Sequence, residues 1–130
     1  MNHTELVMYH IKDSKKEKKL MGLCKRLQMQ TRKIKSGDVN CSVGVLAGFP
    51  EMTVRTAQKA PMGYQLPELL VFSGMPEKRL DEFLAEYRTE GIEPVGLKAI
   101  ITPQNVHWSL YELTAELVKE RAAIIMGQSR

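Results

Sequence analysis

The sequence predicts an α/β fold: two βαβ-type halves related by internal duplication, helices packed on a four-stranded sheet, and a C-terminal helix. Three observations lead there. Short apolar runs with a β-branched and aromatic bias alternate with segments of helical spacing. A shift of 63 positions lays the second half on the first without a gap: Glu5 on Glu68, Leu6 on Leu69, Tyr9 on Phe72, Leu20 on Phe83, Cys24 on Tyr87 and Ile34 on Leu97. Capping and breaking residues fall at the edges of the helical segments. The rival is a ferredoxin-like α+β arrangement, with the halves interleaved in an antiparallel sheet.

Glu5 to Ile11 reads as a buried strand. Ser14 and Glu17 form an S-x-x-E capping box, so a helix is expected from about Lys15. Leu20, Leu23, Cys24 and Leu27 are its inner stripe, and lysines fill its outer face. The segment around Ile34 is an edge strand guarded by Arg32, Lys33 and Lys35. Asp38 to Gly48 forms a short helix or a loop. Residues 49–67 carry three prolines and no periodicity and form an irregular connection. Glu68 to Gly74 is a stronger strand. The helix after it has Pro76 near its first turn, Gly91 beyond its end, and Leu80, Phe83, Leu84 and Tyr87 on its inner face. Val95, Leu97, Ala99 and Ile101 alternate as the next strand. Ser109 and Glu112 are a further capping box, with Trp108 and Leu113 placed as a hydrophobic staple. Leu110, Leu113, Leu117 and Ile124 continue as the buried stripe of the last helix. The whole is one domain over residues 1–130: a first half-repeat (1–48), the connection (49–67) and a second half-repeat (68–130).

Charge is unevenly placed. The chain carries a net +4, but residues 1–36 hold ten Lys/Arg against three Asp/Glu. This half is therefore +7 and the rest −3, so the basic half of one molecule can attract the acidic half of another, giving a homo-oligomer. A nucleic-acid partner is disfavoured, because "RKIKSG" lacks the flanking aromatics that stack on bases. No apolar run approaches the roughly 20 residues that span a bilayer, and the N-terminus does not read as a secretory signal. With Cys24 and Cys41 in no metal or redox spacing, the expected location is the cytoplasm.

Chemistry-bearing residues are few. The chain has no GxGxxG, P-loop, HExxH, GxSxG or CxxC, so no cofactor and no metal ligand is indicated. Helix initiation accounts for Trp108, Ser109 and Glu112. This leaves Lys98, Thr102, Gln104, Asn105 and His107 around the last strand-to-helix loop, of which Lys98, Thr102 and Asn105 are the candidate ligand-binding residues. In an open parallel sheet that loop is where ligands bind, and it precedes a helix N-terminus whose free N–H groups favour an anion. His10 and Ser73 end their strands at matching repeat positions and join these three as candidate ligand-binding residues. His107 is expected to be exposed.

The stretch "LLVFSGMPEKRLDEFLAEYR…GLKAIITPQNVHWSLYELTAEL" resembles an uncharacterised bacterial family, catalogued as a domain of unknown function under the number three-seven-eight-three. Leu70, Phe72, Ser73, Gly74, Leu97, Lys98, Ala99, Thr102, Pro103, Asn105 and Trp108 carry the resemblance, strongly over residues 68–120 and weakly over 5–48. It implies a small bacterial cytoplasmic protein and brings no activity with it. The expected function is a small binding or regulatory module without an identifiable catalytic constellation. The alternatives are a small enzyme with its site around Lys98, Thr102 and Asn105, and a nucleic-acid binder using the basic half.

Overall fold

In a computed structural model of the chain, residues 5–54 and 59–128 are described. They divide into two compact units that cut across the expected half-repeats. One comprises Met1–Ile34 and Glu68–Ile100, the other Lys35–Pro67 and Ile101–Arg130.

The first unit contains β1 (Leu6–His10), α1 (Ser14–Arg26), β2 (Gln30–Lys33), β3 (Leu69–Ser73), α3 (Glu77–Thr89) and β4 (Leu97–Ile100). Between them in sequence, the second unit contributes α2 (Val43–Leu46). The sheet runs β2-β1-β3-β4. Each βαβ half pairs its own strands in parallel, and the halves join through an antiparallel β1–β3 ladder. The ferredoxin-like alternative, with its fully antiparallel sheet, is thereby set aside.

Helix boundaries follow local chemistry. Asp13, not Ser14, caps α1: its carboxylate accepts from the Lys15 N–H at 3.3 Å. Glu17 is thus free of capping and instead accepts from the Tyr9 hydroxyl at 2.9 Å. Pro76 occupies the N-cap position of α3 without a side-chain cap, and Gly91 beyond the helix end takes φ +67°, a conformation glycine adopts without steric cost. Both helices lie on one face of the sheet. Val7, Tyr9, Leu70 and Phe72 from the central strands pack with Leu20, Leu23, Cys24, Phe83 and Tyr87. The Phe72 and Phe83 rings meet edge to face at 5.2 Å. Met8, Leu69 and Val71, on the opposite sheet face, are also buried. The edge strand β2 is exposed at all four residues.

The two helices obey the 63-residue shift from first residue to last, Ser14 on Glu77 and Arg26 on Thr89. The outer strands do not. Leu69 pairs with Leu97, but Leu6 pairs with Gln30, four positions before Ile34. Three residues join α1 to β2 and seven join α3 to β4. A gapless repeat with Ile34 over Leu97 is therefore not what the sheet pairs. Ile34 lies just past β2, where its N–H donates to the Tyr9 carbonyl at 2.8 Å.

Two ionic clamps cross between the halves. The Lys16 ammonium, 7% exposed, donates to Glu68 at 2.8 Å and to the Pro94 carbonyl at 3.0 Å. Arg79 grips the Glu5 carboxylate through Nε and Nη2 at 2.8–3.0 Å and also donates to the Leu27 carbonyl. Lys16 and Arg79 occupy the same position in their helices, and Glu5 and Glu68 the same position before their strands. Each half thus gives one cation and one acid to the other. Arg26 is paired with Glu90, the C-cap residue of α3.

In the second unit, a 3₁₀ turn (Ser36–Asp38), α2 and α4 (Leu110–Gln128) are joined by loop pairing. Ser42 and Ser109 form an antiparallel bridge. Gly44 has no room for a side chain: a Cβ there would lie 2.6 Å from Met52 Cβ and 2.8 Å from the Val106 carbonyl. Val39, Val43, Leu46, Leu66, Val106, Leu110 and Leu113 are buried in this unit. Ile124 is not: it is 60% exposed, so the expected buried stripe of α4 stops short of it.

Two outcomes follow. Burial alone would raise the pKa of Glu68, but the bonds from Lys16 and the Lys12 amide prevail and hold it below the ordinary carboxylate value. A carboxylate depressed in the folded state contributes stability that is present above its unfolded pKa and is lost as pH falls through the folded value. Urea melts of Glu68→Gln should therefore show a loss of about 3 kcal/mol at pH 7, from stranding Lys16, and a smaller gap from the wild type in strong acid. An equal deficit at every pH would contradict the clamp. Gly44→Ala should cost about 1–3 kcal/mol by overpacking, read as a lower denaturation midpoint with unchanged slope.

Candidate functional site

Strand register decides what the first unit can bring together. His10 pairs with Leu69, and Ser73 pairs with Leu6. Because β1 and β3 are antiparallel, the carboxyl ends of these strands lie at opposite ends of the ladder. His10 and Ser73 share a face but stand four residues apart, about 13 Å at strand spacing. The expectation that both border the same loops assumed a parallel sheet, and it fails on this pairing. Lys98 pairs with Leu70, which pairs with Tyr9. Its side chain is therefore on the helix-bearing face, and that of His10 is on the other. Two strand spacings, about 10 Å, also separate the strands that carry them. Proton transfer needs roughly 3 Å, so His10 cannot serve Lys98.

Each of these residues has a local environment. His10 Nδ1 lies 2.8 Å from the Ile34 carbonyl and holds the chain as it leaves β2. Ser73 is buried at the end of β3, and Gly74 after it turns with φ +65°. Lys98 is exposed on an edge strand.

The second unit brings Thr102 and Asn105 together, and to each other. The Thr102 N–H donates to Asn105 Oδ1 at 2.9 Å, and the Asn105 N–H donates to Thr102 Oγ1 at 3.1 Å. Asn105 is 8% exposed, whereas Thr102 is exposed. This reciprocal pair closes the loop as side-chain-to-backbone bonds do. The predicted capping box follows at once: Ser109 N–H to Glu112 Oε1 at 3.1 Å, Glu112 N–H to Ser109 Oγ at 3.0 Å.

The amides at the start of α4 are not free for an anion. Leu110 N–H donates to the Cys41 carbonyl at 2.9 Å and Tyr111 N–H to the Val39 carbonyl at 2.8 Å. Glu112 N–H is held by Ser109. The sequence offered no sign that residues 39–43 would occupy this helix end, because the pairing is non-local. Trp108 is half-buried rather than a fully buried anchor, and its carbonyl accepts from the Val43 N–H at 2.8 Å. His107 is half-buried as well, its Nδ1 3.0 Å from the Thr53 carbonyl.

Other reactive groups are muted or remote. Burial pushes the Cys24 thiol up to about 12, so it is protonated at neutral pH. Tyr9 is pushed up to about 12, first by burial and then by its bond to Glu17. Cys41 is exposed, and both cysteines are free thiols. Among the described residues, no group of three or more His, Cys, Asp or Glu could hold a metal ion, and no helix is long and apolar enough to cross a membrane.

What sequence reasoning could not show is which basic residues keep a counter-charge. Lys15, Lys18, Lys19 and Lys25 on α1 and Arg32 on β2 are exposed and carry no ion pair among the described residues. The acidic Glu5, Glu17, Glu68, Glu82, Glu86 and Glu90 are all engaged by other cations. The charge asymmetry was legible in the sequence; which cations stay unneutralised depends on the packing of α1 against α3.

Comparison with known proteins agrees with the resemblance. Residues 68–124 match the family model described as a domain of unknown function, DUF3783. The matched segment begins just before β3 and runs through α3 and β4 into α4. No curated protein and no solved structure matches the chain.

The Thr102–Asn105 pair makes a measurable claim. Asn105→Ala and Thr102→Val should each lower stability by about 1 kcal/mol, and the double variant should lose less than the sum of the two. Strict additivity in a double-mutant cycle would show that the two side chains do not support one another.

Proposed function

We propose that this protein is a non-catalytic binding module working in the cytoplasm of a bacterial cell. One observation carries the reading. The polar residues that sequence reasoning selects are spread over opposite faces and ends of the sheet or engaged in holding backbone, while a set of cations on α1 and β2 lacks counter-charges. Thr102, Asn105, His10 and Ser73 then serve the fold, and the working surface is the basic one. The free thiols suit a reducing compartment.

The cations of α1 and β2, exposed and without ion pairs among the described residues, support an anionic partner. The test pairs two assays on the purified full chain. Thermal melts against a panel of anionic peptides and metabolites should find a stabilising ligand; one present at about a hundred times its Kd adds about 2.7 kcal/mol. Turnover assays over ester, amide and phosphoester substrates should find none. Turnover abolished by Lys98→Met or His10→Phe, with the fold intact by circular dichroism, would overturn the reading.

A further inference from the structure

Strand β2 is an open edge with an ordered set of hydrogen-bonding groups. The Gln30 N–H donates to the Glu5 carbonyl at 2.9 Å, and the Ile34 N–H to the Tyr9 carbonyl at 2.8 Å. Even-numbered residues of this stretch thus point their backbone groups toward β1. Strand alternation turns the N–H and C=O of Thr31 and Lys33 the other way, off the sheet. β2 is the terminal strand, and all four of its residues are exposed. Free edge groups are a template for one more strand.

The side chains beside this edge are basic on both faces of the sheet. Arg32, in register with Met8, lies on the face away from the helices, and Lys33, in register with Tyr9, lies beneath α1. The flank of α1 that overhangs β2 is fixed by two contacts. Lys33 Nζ lies 3.4 Å from Glu17, and the Thr31 hydroxyl lies 3.7 Å from the Met21 sulfur. Lys18 and Lys25 stand three residues before and four after Met21, so they share that flank. Lys18, Lys25 and Arg32 have no ion pair among the described residues. Lysines on an edge repel basic and neutral strands; the same lysines attract an acidic one.

We propose that the β2 edge binds an extended acidic segment of a partner protein, which adds as a fifth strand through the Thr31 and Lys33 backbone while its carboxylates meet Lys18, Lys25 and Arg32. The inference rests on the chain being a binding module and gives that module its site and partner chemistry. Backbone bonds supply the register, and charges above and below the edge select an acidic sequence over others. A nucleic acid would find the same cations but has no strand to add.

The test uses the full chain and a fluorescein-labelled eight-residue peptide repeating Glu-Glu-Val-Val, which puts carboxylates on both faces of an added strand. Anisotropy should show saturable binding. Hydrogen exchange followed by NMR should show new protection at the Thr31 and Lys33 amides. Lys18→Glu/Lys25→Glu/Arg32→Glu should weaken binding at least about tenfold. Thr31→Pro should do the same without changing charge, because its N–H is outside the ladder and an edge strand tolerates proline there. A peptide of the same sequence with N-methylated amides should also bind at least about tenfold more weakly, and this arm needs no protein variant to fold. Equal affinity for the N-methylated peptide, or for single-stranded DNA of the same charge, would reduce the site to diffuse charge attraction and overturn the proposal. Protection at Thr31 and Lys33 that rises with protein concentration alone would assign the edge to a second copy and also overturn it. Failure here with stabilisation by another ligand retained removes the edge site and leaves the module reading standing.

Discussion

The antiparallel ladder between β1 and β3 is the constraint from which the rest of the first unit follows. It joins two parallel βαβ halves into a single sheet and places both helices on one face of it. It is centred on Met8 and Val71, so His10 meets Leu69 at one end and Ser73 meets Leu6 at the other. The ionic clamps reinforce it across the seam. Each ties a cation near the start of one helix to an acid at the start of the other half's first strand, and to a carbonyl in the other half's helix-to-strand connection. A buried ammonium such as Lys16 is tolerable only with this degree of satisfaction, since a partially paired charge costs more than an apolar side chain in the same place.

The same constraint shapes function. A wholly parallel sheet would collect the strand carboxyl ends on one side and make a crevice of their loops. Reversing one half sends them to opposite sides, which dissolves the site that His10, Ser73 and Lys98 could have formed in such a sheet. The reversal also sets α1 beside α3 with Arg26 against the glutamates of its neighbour. That pairing engages Glu86 and Glu90, while the outward lysines of α1 and Arg32 of β2 carry no ion pair among the described residues.

The family match sharpens this division of labour. Its residues include Gly74 at a positive φ, Thr102 and Asn105 in a reciprocal loop closure, and the segment that starts α4. In this structure those groups meet the local demands of a strand-to-helix connection. The bases on α1 and β2 lie outside the matched segment, in the part of the chain where the resemblance is weak.

The sequence by itself determined the elements and their local chemistry. Strand and helix positions follow from side-chain periodicity, and the Ser109–Glu112 box and the Gly91 terminus from groups only a few residues apart. The exposed, Lys/Arg-bearing character of the edge strand was legible for the same reason. Local signals also misled where two residues competed for one role: Asp13 took the α1 cap from Ser14 because its carboxylate reaches the Lys15 amide. The tertiary structure alone decided the rest. A 63-residue shift cannot reveal that β2 pairs four positions earlier than its counterpart, because β2 has no apolar residue of its own to mark its register. Nor can sequence show that Val39 and Cys41 would satisfy the start of α4, since those bonds join segments some seventy residues apart. Strand direction, register and the distribution of charge between paired and free groups are non-local quantities, fixed only when the halves meet along β1 and β3.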